Sequence, residues 1–168
     1  MNKPTTVLAV DIECRSSAES IPSERDISNW ANKAYKNSTR AEVAILIVDQ
    51  DEIQSLNKSY RNKDQATNVL SFNAGLAPVY GVTHLGDLVL CANVIEREAS
   101  EQNKSIQSHW AHMTIHGMLH LQDYDHINTA DAEVMEAIEI ALLASLNIAN
   151  PYLIADEPLM GDSAANQQ

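Results

Sequence analysis

The sequence predicts an α+β fold, a single domain in which helices pack on a small mixed sheet. Three observations carry this. Residues 5–12, 41–49, 68–72 and 85–91 are short runs rich in aliphatic and β-branched side chains, which suits strands. Five longer stretches repeat apolar residues at helical spacing or lie between clear helix boundaries. The resulting order, β-α-β-α-β-β-α-α-α, mixes the two kinds of element without strict βαβ alternation.

Each element has its own justification. Residues 5–12 (TTVLAVDI) form the first strand. Residues 23–37 form a helix, opened by Ser23 with Asp26 in the manner of a capping box, and Ile27, Trp30, Ala31 and Ala34 share one face. Residues 41–49 (AEVAILIVD) are almost continuously apolar, as expected of a strand buried on both faces. Residues 51–60 form a helix with Ile53 and Leu56 inward. Strands at 68–72 and 85–91 flank a loop at 73–84, where two glycines and a proline interrupt the chain. Three helices follow, at 93–102, 105–121 and 130–146. In the last, Val134, Ile138, Ala141, Leu142 and Leu146 are the expected inner face. Residues 1–155 read as one domain. The tail from 156 to 168 is rich in Pro, Gly, Ser, Asn and Gln and is expected to be disordered.

Composition narrows the function. The chain has 168 residues, 45% hydrophobic and 20% charged, which suits one soluble domain. Eleven basic residues against 23 acidic leave a net charge of −12. Nonspecific DNA affinity comes from Lys and Arg neutralising phosphates, so a coat for duplex DNA is excluded and no DNA partner is expected. Cys14 and Cys91 are too far apart for a CxxC motif and read as two buried, reduced thiols. No stretch approaches the roughly 18 apolar residues of a membrane span, and the short run at 7–10 meets Asp11 and Glu13 too soon for a signal peptide. The expected location is the cytoplasm, with no membrane partner.

The chemistry concentrates in one segment. Five of the six histidines fall at 109, 112, 116, 120 and 126. His116 and His120 are i and i+4 on a predicted helix, so their rings share a face one turn apart. That separation lets two nitrogens bind one metal at about 2.0–2.1 Å. His126 follows after the helix has ended, where a chain turning back can supply a third ligand. Three neutral histidines leave a fourth position for water, the catalytic form of a zinc site. The HxxxHxxxxxH spacing is that of the metzincin proteases, but Gly117 stands where their general base, a Glu, follows the first His. A Gly here costs about 1 kcal/mol of helix stability relative to Ala, which suggests close approach of a substrate or another backbone. Asp123 occupies the position of the metzincin turn Gly, and Asp tolerates a left-handed backbone better than most residues.

The segment from His116 to His126, HGMLHLQDYDH, resembles the HGxLHLxGYDH signature of the YbeY family, bacterial metal-dependent endoribonucleases of ribosomal-RNA maturation. The likeness covers most of the chain. Residues 56–64 (LNKSYRNKD) with 67–72 (TNVLSF) are similar to that family's LNxxYRxxDxxTDVLSF, and 85–91 (LGDLVLC) to its LGDIVIC. Residues 109–112 (HWAH) match the run before the metal motif. Asp123 replaces the motif Gly, Asn68 replaces an Asp, and Gln65-Ala66 stands where a Pro is usual. The resemblance implies a four-stranded mixed sheet with the metal helix packed on it. It implies one zinc ion on His116, His120 and His126, and Arg61 as the catalytic cation of the cleft. The implied substrate is single-stranded RNA, notably the small-subunit ribosomal-RNA precursor on a ribosome or small-subunit particle. A role in ribosome quality control is implied with it.

Phosphodiester cleavage needs an activated oxygen, charge stabilisation at phosphorus and protonation of the leaving oxygen. Hydroxide from a zinc-bound water or the ribose 2′-hydroxyl could supply the first. Arg61 suits the second, since guanidinium is always charged and can grip phosphate bidentately. Its alternative reading is a surface Arg beside Lys58 and Lys63. His112, one turn before His116, reads as an outer donor to the metal site, a proton shuttle, an RNA contact or a buried satisfied histidine. Asp125 either orients a ligand imidazole or helps the turn. The acidic balance requires a local basic cleft, and residues 54–63 carry Lys58, Arg61 and Lys63. Two rival functions stand beside the ribonuclease. One is a metalloprotease-like hydrolase, favoured by the histidine spacing. The other is a non-enzymatic ribosome-assembly factor with a structural metal.

Overall fold

The computed structural model describes residues 7–125 and 128–153. The expected tail from 156 lies outside the described residues, as does His126. Among the described residues the chain forms four strands and five helices. In order they are β1 (Leu8–Cys14), α1 (Glu24–Ala34), β2 (Ala41–Val48), α2 (Gln50–Arg61), β3 (Val69–Asn73), β4 (Thr83–Cys91), α3 (Ala92–Glu101), α4 (Ile106–Leu121) and α5 (Thr129–Ser145).

The strands lie in the order β1-β2-β4-β3. β1 and β2 are parallel, β2 and β4 are parallel, and β3 returns antiparallel to β4. The sheet is therefore mixed, and the expected α+β class is the observed one. β2 lies inside the sheet, but its expected burial on both faces is only partly met: Ala41, Val43, Ile45 and Ile47 are buried on one face, while on the other only Val48 is buried, Ala44 and Leu46 are half-buried and Glu42 is exposed. Val43, Ile45 and Ile47 face the main core with Leu88 and Leu90 of β4, beneath α1 and α4. Val48, with Val89 and Cys91 of β4, faces a smaller core closed by Ile53 of α2 and Val94 of α3. Each fully buried aliphatic side chain stabilises the fold by about 1.5–3 kcal/mol.

α4 is the central helix. It packs against α1, α3 and α5 and on β3 and β4. Eleven of its 16 residues are buried, so it has no solvent face of ordinary width. Ser105 caps it, accepting from the Ser108 N–H at 3.0 Å. Ser23 caps α1 by accepting from the Asp26 N–H at 3.1 Å, while the Asp26 carboxylate accepts from Gln107 Nε2 at 2.8 Å and so ties α1 to α4.

Two expectations need correction. Cys91 is buried but Cys14 is exposed at the end of β1, so only one thiol is in the core. In α5 the buried residues are Met135, Glu139 and Leu143; the expected Ile138, Leu142 and Leu146 pack partly buried against the core, but Ala141 is exposed and Val134 is 55% exposed. The inner face is therefore rotated from the expected one. No helix among the described residues is long and apolar enough to cross a membrane.

Candidate metal centre and cleft

α4 presents its histidines as its spacing requires. His116 Nε2 and His120 Nε2 are 3.2 Å apart, and their rings meet edge to face with centroids at 4.7 Å. Two nitrogens each about 2.0–2.1 Å from one tetrahedral ion would be about 3.3 Å apart. The pair thus has the donor chemistry and separation that a zinc ion needs. Both residues line a cleft of about 600 Å³, together with Arg61, Lys63, Asn68, Ser71, Asn73 and Asp125. Arg61, Asp125 and the two predicted ligands are therefore brought to one place.

α4 ends in a turn at Gln122 and Asp123. The Asp123 N–H donates to the His120 carbonyl at 3.0 Å and the Tyr124 N–H to the Leu119 carbonyl at 3.1 Å. With Asp123 at φ +73°, these bonds make a Schellman cap in which Asp occupies the left-handed position. A left-handed backbone costs an ordinary residue roughly 1–2 kcal/mol. Asn73 offsets part of it: its Nδ2 donates to Asp123 Oδ1 and to the Leu121 carbonyl, both at 3.1 Å. The left-handed turn at Asp123 forms without the motif Gly.

Arg61 is the last residue of α2, which stops at Asn62 in the left-handed conformation, φ 60°. The buried Asn57 side chain holds the next loop by donating to the Gln65 carbonyl at 3.0 Å. Arg61 Nη2 donates to the Ser71 carbonyl at 2.6 Å, and its Cζ lies 5.2 Å from the Phe72 ring centroid. Anchored at one nitrogen and stacked on an aromatic ring, the guanidinium is held against β3 at the cleft wall. Ser71 also ties β3 to α4, its hydroxyl donating to the Gly117 carbonyl at 3.0 Å.

Gly117 has a close neighbour, as expected, but a different one. A Cβ there would stand 2.2 Å from Leu88 Cδ1 and 3.1 Å from Val69 Cγ2. The helix touches side chains of the sheet at this point, not a substrate or a backbone. A Glu at this position has no room to reach the cleft.

Sequence reasoning missed Glu139. This carboxylate from α5 is fully buried. Oε2 accepts from His116 Nδ1 at 2.6 Å; Oε1 accepts from His112 Nε2 at 2.9 Å and from the Tyr152 hydroxyl. Burial pushes the carboxyl up, but hydrogen bonds from His112 and His116 outweigh it and hold Glu139 down at about 2. Burial likewise lowers His112, against the pull of Glu139. Burial and the Glu139 charge raise the Tyr152 hydroxyl far above the usual tyrosine range. An ionised Glu139 only accepts, so His116 carries a hydrogen on Nδ1, and its Nε2 faces His120 Nε2. His112, 6% exposed, offers almost nothing to an RNA strand; its place is as a donor to Glu139.

One atom each from His112, His116 and Glu139 lie within 4.8 Å of one another, a set that could also hold a metal ion. An ion there would have to displace two good hydrogen bonds to a buried carboxylate. The Nε2 pair needs no such loss, and for an ion held there Glu139 would be the acceptor that orients the His116 imidazole. The signal for Glu139 was present in the sequence as a charge between Met135 and Leu143, on their i, i+4, i+8 stripe.

A second polar cluster flanks the cleft. Asn68 Nδ2 donates to both oxygens of Glu98 at 3.1 and 3.2 Å, and His109 Nε2 meets Glu98 Oε1 at 2.8 Å. Here an Asn in place of the family's Asp has a reason, since a carboxylate would face Glu98 across about the same distance.

Comparisons with known proteins find related sequences and a related fold. The model of the family described as Endoribonuclease YbeY matches residues 11–147. A Cellvibrio japonicus protein named Endoribonuclease YbeY is 50% identical over 151 residues, covering 89% of this chain and 85% of that protein. The solution structure of TM1509 from Thermotoga maritima shares the fold, with a TM-score of 0.51 at 20% identity, covering 94% of this chain and 99% of that one.

Proposed function

The chain belongs to the endoribonuclease YbeY family and is an enzyme that cleaves RNA internally; from that premise we propose a zinc-dependent nuclease specific for single-stranded RNA, acting in maturation of the small-subunit ribosomal RNA and in ribosome quality control. The observation that carries the reading is the His116–His120 nitrogen pair, 3.2 Å apart, in a cleft that Arg61 also lines. His116, His120 and His126 hold one zinc ion in this reading, with the His126 contribution resting on the sequence motif. When bound, zinc supplies a Lewis acid for the scissile phosphate.

The chain's own residues do the rest. Arg61 keeps one N–H on the Ser71 carbonyl and offers the remainder of its fork to a phosphate. Lys63 lines the same cleft and adds a second positive charge. Glu139 holds His116 in the tautomer that points Nε2 into the cleft. Asp125, exposed at the cleft wall, is placed to accept a proton or orient a ligand ring. RNA reaches this cleft in the cytoplasm, presented by a ribosomal particle, because the surface as a whole repels phosphate.

The protease reading fails on position 117, where a Cβ already meets Leu88 Cδ1. The structural-metal reading is decided by chelation, which would unfold the domain if the ion were structural. The test is cleavage of a single-stranded RNA by wild type, His116→Ala and Arg61→Ala, all checked for folding. Wild-type cleavage with loss of at least about a hundredfold in each variant is expected. Equal cleavage by all three would mean a contaminant and would overturn the assignment. A substrate with a 2′-deoxy sugar at the cut separates attack by the 2′-hydroxyl from attack by water.

A further inference from the structure

Glu139 has two oxygens and three partners, and one partner comes from outside the helices. The Tyr152 hydroxyl donates to Oε1, beside His112 Nε2 at 2.9 Å, while Oε2 serves His116 Nδ1 at 2.6 Å. Tyr152 itself is fixed from three directions. Its N–H donates to Asn150 Oδ1 at 2.8 Å, and the preceding Pro151 carbonyl accepts from Lys104 Nζ at 2.9 Å. Its ring stands edge-on to His112, with centroids 5.5 Å apart and planes at 85°.

The terminal torsion of a Glu side chain is broad and soft, so one hydrogen bond does not fix the carboxylate plane. His112 and His116 both belong to α4 and hold Glu139 from one side only. Tyr152 approaches from the segment after α5 and supplies the missing constraint. We propose that Tyr152 is a positioning residue of the metal centre: its hydroxyl locks Glu139 so that His116 keeps its hydrogen on Nδ1 and its Nε2 lone pair toward His120. The proposal rests on the reading of His116 and His120 as metal ligands. It makes the segment 150–153, which carries none of the family's motif residues, a determinant of how tightly the ion is held.

The test is a titration of Zn²⁺ against a competing chromogenic chelator, using the full chain. Tyr152→Phe keeps the ring against His112 and removes only the hydroxyl. Leu153→Ala changes the adjacent residue of the same segment, 65% exposed. Wild type binds one zinc ion. Tyr152→Phe binds it about tenfold more weakly, the lower end of what partners behind metal ligands usually contribute. Leu153→Ala binds it like wild type. In the zinc-free protein, ring-nitrogen NMR finds His116 in the Nδ1–H form in wild type and in mixed tautomers in Tyr152→Phe. Unchanged affinity in Tyr152→Phe, or an equal loss in Leu153→Ala, overturns the positioning role and leaves the metal site standing. A folded wild type that binds no zinc overturns the metal reading and this one together.

Discussion

Gly117 sits where α4 comes closest to the sheet. Leu88, whose Cδ1 would lie 2.2 Å from an added Cβ, is itself fully buried and has little space to retreat. Overpacking of this kind costs about 1–3 kcal/mol, and the better helix propensity of Ala returns about 1. Gly117→Ala should therefore lose up to about 2 kcal/mol, a drop of up to about 8 °C in Tm for a domain of this size. Adding Leu88→Ala should then cost less than it does in wild type. A rise in Tm for Gly117→Ala would show that the contact is slack. Glu98 supplies a test by pH. Burial raises its carboxyl, but the bonds from His109 and Asn68 prevail and hold it below its ordinary value. A depressed carboxyl adds stability above its unfolded pKa, about 4.3, and loses it as pH falls through the folded value. The Tm gap between wild type and Glu98→Gln should be widest near neutral pH and narrow as pH drops below about 4. A gap that does not narrow as the pH falls from neutral into the acid range would refute the assignment.

At the scale of elements, α5 shows what an amphipathic pattern does and does not reveal. Its sequence offers two apolar stripes, one through Val134, Ile138 and Ala141 and one through Met135 and Leu143. Glu139 interrupts the second, so hydrophobicity alone selects the first. The buried charge is the cause: it belongs inside because His112, His116 and Tyr152 satisfy it. Met135→Ala should cost roughly 2–3 kcal/mol, within the usual range for buried Met, and Val134→Ala less than about 0.5. Chemical denaturation of the two variants checks this, and the reverse order would restore the stripe read from the sequence. The same logic separates what was legible elsewhere. The nine elements were legible within a few residues, because β2 and α4 carry burial patterns that only one element type satisfies. The approach of His116 to His120 was legible too, since i, i+4 spacing is a property of one helix. The partners that come from other elements were not: Glu139, Tyr152 and the Asn68–Glu98–His109 cluster depend on how helices pack, and no local spacing announces them. The exposure of Cys14 had the same cause, since it follows from where β1 ends at the sheet edge.

Over the whole molecule, charge decides how this nuclease meets its substrate. The chain carries a net −12, so at long range it repels RNA. Near the cleft the balance is different but small. Arg61 and Lys63 line it, whereas Lys58, the third cation of that stretch, lies 3.9 Å from Asp64 and is partly compensated. Each phosphate neutralised on a single strand contributes about −0.7 to the slope of log affinity against log salt. Two cleft cations therefore set a slope of no more than about −1.4, further reduced because salt also screens the global repulsion. Lys63→Ala should flatten that slope by about 0.7 without changing metal content. A wild-type slope several times steeper would mean that RNA tracks across a much larger surface, and a slope unmoved by Lys63→Ala would remove Lys63 from the contact. Two phosphate contacts are too few to capture free RNA against the repulsion of the rest of the surface. Cleavage should consequently be faster when a ribosomal particle holds the strand than when the same strand is free at equal concentration. Equal rates would mean that the cleft alone provides enough binding, and that the acidic surface has no part in selecting the substrate.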